Sequence, residues 1–67
     1  MYRVIGLLGY TVCTTNEPEQ VIKAIKGQMN ISTKLEHSVA QRLAQLAVGR
    51  TLRVDYTGLE VSVTREE

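Results

Sequence analysis

The 67 residues are enough for one domain, and a domain this small buries only about 60% of the surface its unfolded chain exposes. One Cys and one His exclude an internal disulfide and a tetrahedral zinc site, which leaves oligomerisation as the ordinary route to added stability. With 8 basic and 7 acidic residues the net charge is +1, too weak a field to steer nucleic acid, while a hydrophobic fraction of 43% excludes a disordered chain.

Met1–Thr15 is rich in β-branched and aromatic residues and lacks a helical period, so it reads as a strand. Alternation sets Val4, Leu8, Tyr10 and Val12 on one face and Ile5, Leu7 and Cys13 on the other. Both faces are apolar, as in a strand covered on both sides. Gly6 and Gly9 mark a bulge, a bend or a close backbone approach. A hairpin through Gly6-Leu7-Leu8-Gly9 competes but puts two leucines at a turn tip, and ranks second.

A helix start follows in Thr14-Thr15-Asn16-Glu17-Pro18-Glu19, with Asn16 as cap, Glu19 three residues on and Pro18 in the first turn. The helix carries Val21, Ile22, Ile25 and Met29 on one face, and Gly27 is expected to end or loosen it.

The strongest signal is Ser32–Gly49. Ser32 and Thr33 are good N-caps, Thr33-x-x-Glu36 fits a capping box, and Gly49 suits a left-handed C′ residue with Arg50 beside it. At about 100° per residue, Leu35, Val39, Leu43 and Leu46 fall in one sector, with Ala40, Ala44 and Ala47 as a shoulder. Lys34, His37, Ser38, Gln41, Arg42 and Gln45 take the polar side. The leucines should meet a sheet, and the alanines let another helix come close.

Beyond Gly49 the period becomes two. Leu52, Val54 and Tyr56 alternate with Arg53 and Asp55, and Leu59, Val61 and Val63 with Glu60 and Ser62; Thr57-Gly58 fits a two-residue hairpin loop. Pairing Tyr56 with Leu59, Val54 with Val61 and Leu52 with Val63 gathers six apolar side chains on one face. It also sets Asp55 against Glu60, unfavourable unless solvated or bridged by a cation such as Arg53. Arg65-Glu66-Glu67 reads as a frayed end. The expected fold is a single α+β domain over residues 1–67, β-α-α-β-β, with a small, at least partly antiparallel three-stranded sheet and two helices on one face.

Catalysis has little to stand on. Cys13 with His37 as its base lacks a supporting local motif, and a buried small residue is the commoner role of a lone Cys. Asp55 and Glu60 lie at a wet hairpin end rather than in a shielded cleft. Gly6-x-x-Gly9 is too short for a phosphate loop. No catalytic residue, metal or cofactor is expected. No apolar run approaches the ~20 residues of a membrane span. Met1–Cys13 lacks the basic start and cleavage site of a signal peptide, so a cytoplasmic location is expected, and Asn30-Ile31-Ser32 is a chance sequon.

In element order, Glu17–Thr64 resembles the latter part of a winged helix-turn-helix. That resemblance implies that the second helix enters a major groove, with Lys34, His37, Ser38, Gln41, Arg42 and Gln45 facing DNA and Thr57-Gly58 as a wing tip helped by Arg53. A strand where the first helix belongs, and a net charge of +1, rank it second. The leading expectation is a non-enzymatic, self-associating interaction protein, an inhibitor or regulator of a protein partner, of the size class found in phages and mobile elements. An oligomer sequestering a small ligand between subunits is a third reading. The partner surface is expected on the polar side of the second helix and at Arg53, Thr57 and Gly58. Self-association, with a homodimer favoured, is expected through Tyr2, Val4, Ile5, Leu7, Ala40 and Ala44.

Overall fold

A computed structural model describes residues 1–67. In chain order it has β1 (Tyr2–Ile5), β2 (Thr11–Thr15), α1 (Pro18–Gln28), α2 (Thr33–Gln45), β3 (Thr51–Tyr56) and β4 (Leu59–Arg65). The fold is α+β, with both helices on one face of a four-stranded antiparallel sheet ordered β2-β1-β4-β3.

The fourth strand corrects the three-stranded expectation, because Met1–Thr15 is a hairpin and not one strand. Gly6 and Gly9 decide this. Gly9 takes φ 86°, a conformation that costs glycine little, and the turn closes with Gly9 N–H on the Gly6 carbonyl (3.1 Å) and Gly6 N–H on the Tyr10 carbonyl (2.9 Å). The register slips between Val4 and Ile5, which pair with Cys13 and Thr11, so Val12 is the extra residue of a bulge. β1 is therefore central, bonded to β2 on one side and β4 on the other.

The β3–β4 hairpin has the register its alternation predicts: Leu52 opposite Val63, Val54 opposite Val61 and Tyr56 opposite Leu59. Thr57 (φ 52°) and Gly58 (φ 82°) both have positive φ, as a type I′ turn demands. Leu59 is exposed, but the other five side chains join Tyr2 and Val4 beneath Val21, Ile25 and Met29 of the α1 segment and Val39 and Leu43 of α2. Val4, Val21, Ile25, Leu43 and Val63 are wholly excluded from solvent. At about 1.5–3 kcal/mol for each fully buried aliphatic side chain, this layer is the main source of stability.

The helix ends differ from expectation. At the start of α1 the N-cap is Glu17 without a side-chain cap; Thr15 Oγ1, not Asn16, accepts from the Glu17 N–H at 3.1 Å. Gly27 lies inside α1 and does not end it. Ser32 caps α2, accepting from the Leu35 N–H at 3.2 Å. α2 stops at Gln45, so Ala47 lies outside it, and Gly49 (φ 86°) serves the turn into β3. Arg65 is not frayed. It closes β4, and its guanidinium donates from Nη1 to the Leu46 carbonyl at 2.6 Å while lying 5.7 Å from the Tyr2 ring centroid. A basic side chain from the sheet thus takes the place expected of Arg50 at the negative end of the helix.

Candidate functional site

The topology sorts the expected site residues into three places. On α2, Lys34, His37, Gln41, Arg42 and Gln45 are exposed and Ser38 is half-buried. They do not form one surface. His37 and Gln41, with Ala40, turn toward α1 and line a groove of about 510 Å³ between the helices. Its other wall is Glu19, Ile22, Lys23 and Lys26, and Lys26 reaches Glu36 at 3.4 Å. Ser38, Arg42 and Gln45 lie on the opposite flank of α2 at 100° per residue.

Only two of the eight lining residues of this groove are hydrophobic. The groove is open to solvent rather than enclosed, so it suits contacts along a surface better than the burial of a small ligand. The α1 wall is not among the residues that helix amphipathicity marks as a partner surface. Its residues stand at i, i+3 and i+4 spacing (Glu19, Ile22, Lys23, Lys26), the pattern that marks one flank of a helix.

The second place is the end of the sheet where both hairpins turn. Ile5 pairs with Ser62, so the loop after β1 and the Thr57-Gly58 turn lie at the same end. Arg53, Thr57 and Gly58 are exposed. Beside them stands an apolar group that alternation had assigned to covered faces: Leu8 is 85% exposed and Tyr10 73%, with Leu7, Val12 and Leu59 also exposed. The loop is held from below, where Gln28 Oε1 accepts from the Leu7 N–H at 3.1 Å. A Cβ on Gly6 would come within 2.6 Å of that same oxygen. The Gly-x-x-Gly turn was the available signal, since any hairpin closing there must expose its two central leucines.

The residues expected to mediate self-association divide. Tyr2 and Val4 are buried in the core of the single chain, spent on α1 and the neighbouring strands because β1 is central and not an edge. Ile5 is half-buried, Leu7 is exposed at the loop, and Ala40 and Ala44 are exposed on α2.

Cys13 packs against the core on the helix-facing side of the sheet, opposite Val4, whereas His37 lies on the outer side of the helix layer. Thiol and imidazole are not brought together. No three His, Cys, Asp or Glu side chains cluster as metal ligands would, and no helix is long and apolar enough to cross a membrane. Compared with protein-family models, curated proteins and solved structures, the chain matches none.

Proposed function

We propose that this is a non-enzymatic, self-associating module that inhibits or regulates a protein partner, which it grips through the apolar loop Leu7–Val12. The observation that carries the reading is the exposure of Leu8 and Tyr10 on a loop anchored by Gln28. Large apolar side chains exposed together on a surface mark interaction sites. Leucine and tyrosine also bring large contact area at low entropic cost when their loop is already ordered. The polar groove between α1 and α2 supplies a second, charged contact surface, with Lys23 and Glu19 unpaired beside the Lys26–Glu36 bridge.

The DNA-binding alternative has less support. Its wing would be the β3–β4 hairpin, but β4 is bonded to β1 over Ser62–Arg65, so the hairpin is built into one side of the sheet and only its tip projects beyond that pairing. The experiment is capture from the native host with the full-length tagged chain and with Leu8→Ser/Tyr10→Ser. A partner should be retained by the first and lost by the second at equal helical content; equal capture by both contradicts recognition through this loop.

A further inference from the structure

The two edges of the sheet are not alike. At β2 the bulge at Val12 breaks the regular spacing of backbone groups, a common means of blunting an edge. β3 has six residues and no register shift. Which of its backbone groups are free follows from the pairing. Glu66 exchanges hydrogen bonds with Met1, and Arg65 bonds instead toward Gly49 and Arg50. Because bonding alternates along an antiparallel strand, Val63, Val61 and Leu59 bond to Leu52, Val54 and Tyr56. The N–H and C=O groups of Thr51, Arg53 and Asp55 therefore point out of the sheet.

The side chains along this edge carry unmet charge. Asp55 stands opposite Glu60. The chain's ion pairs are Arg3–Glu66 and Lys26–Glu36, so Asp55, Glu60 and Arg53 have no partner of opposite sign. The edge is also self-complementary. If two copies of β3 run antiparallel about a two-fold axis through Val54, Arg53 falls opposite the partner's Asp55, and Asp55 opposite the partner's Arg53. Those are the residues whose backbone groups are free, so both pairs are hydrogen-bonded. On the helix-facing side, half-buried Leu52 meets the partner's Tyr56, and Tyr56 meets the partner's Leu52. Moving the axis by one residue sets Arg53 or Asp55 near its own like charge.

We propose that the protein dimerises by joining its β3 edges in this register, fusing two four-stranded sheets into one of eight strands. The inference rests on the self-association proposed above and names its surface. The helix layer fits it. α1 lies over β1 and β2 and reaches β4, and α2 lies toward β3, so two helices share the width of four strands, about 10 Å of sheet to each, close to the 8–10 Å at which helices pack. The fused sheet therefore sets the two α2 helices side by side, with the Ser38, Arg42 and Gln45 flank between them. Each acidic pair of Asp55 and Glu60 then gains an arginine from the other copy, the isologous exchange expected of a two-fold contact.

The test is sedimentation equilibrium of the full chain at micromolar concentration, with Arg53→Asp, Asp55→Arg and the double exchange. These side chains are exposed, so all three variants keep the fold, as circular dichroism verifies. Wild type is expected at twice the 7.5 kDa protomer mass. Each single reversal turns two symmetry-related attractive pairs into repulsive ones, raising the dissociation constant about tenfold. The double exchange restores wild-type affinity. A dimer indifferent to the single reversals, or not rescued by the exchange, overturns the β3 contact and leaves self-association standing. A monomeric wild type overturns both.

Discussion

Asp55 and Glu60 face each other across the β3–β4 pair, and neither carboxylate meets a basic side chain of the chain. Opposed like charges at this position destabilise a sheet by a few tenths of a kcal/mol. Glu60→Lys removes the repulsion and places a cation opposite Asp55. The expected result is a gain of about 0.5 kcal/mol in urea unfolding, and a melting temperature higher by about 2–4 °C. An unchanged midpoint means that solvent already screens the pair completely.

Arg65 joins three elements that are distant in sequence, with its guanidinium on the Leu46 carbonyl and over the Tyr2 ring. Arg65→Met keeps most of the stem and loses both contacts. A hydrogen bond from a charged donor is worth about 1.5–3 kcal/mol, so unfolding free energy should fall by about that amount. Arg65→Lys should recover only part, because a point charge cannot satisfy the carbonyl and lie flat on the ring. Equal stability of the Met and Lys variants would show that packing of the stem is all that matters.

Gly6 and Gln28 form a coupled pair. A methyl at position 6 meets Gln28 Oε1 at 2.6 Å and Val12 Cγ1 at 2.8 Å, so Gly6→Ala should cost about 1–3 kcal/mol through overpacking. Gln28→Ala loses its bond to the Leu7 N–H and should cost about 1 kcal/mol. The double variant should be more stable than the sum of the two losses, since removing the amide relieves one of the clashes. Strict additivity in the cycle would place the strain at Val12 alone.

Ser32 caps α2 through the Leu35 N–H, while Thr33 is already inside the helix. Ser32→Ala should therefore destabilise by about 1 kcal/mol and Thr33→Ala by much less, as read from thermal unfolding. The reverse order would assign the cap to Thr33.

How far the fold is legible in the sequence depends on how many independent signals agree at each place. In β3–β4, alternation and the Thr57-Gly58 turn give one register, and a slip would turn every valine outward; that register is the one observed. For α2, Ser32 and the Val39–Leu43 spacing locate the start and the buried face. Its end is misplaced because Gly49 has the positive φ expected of a C′ residue but uses it in the turn that meets Arg65. Met1–Thr15 is misread for a related reason. Leucines at a turn tip are penalised by burial logic, yet Gly9's backbone conformation and Gln28's anchoring of Leu7 outweigh their exposure. The apolar loop was hidden by that same error, since Leu8, Tyr10 and Val12 were assigned to a covered strand. The groove between the helices joins residues from both, and a spacing rule within one helix cannot reveal it.

The measurement that bears most directly on function is quantitative capture from the native host with wild type and with Leu8→Ser/Tyr10→Ser. Both substitutions lie at exposed positions and should leave unfolding free energy within about 0.5 kcal/mol of wild type. Loss of a stoichiometric partner from the variant alone is the predicted result. A partner held equally by both proteins would contradict recognition through the Leu7–Val12 loop.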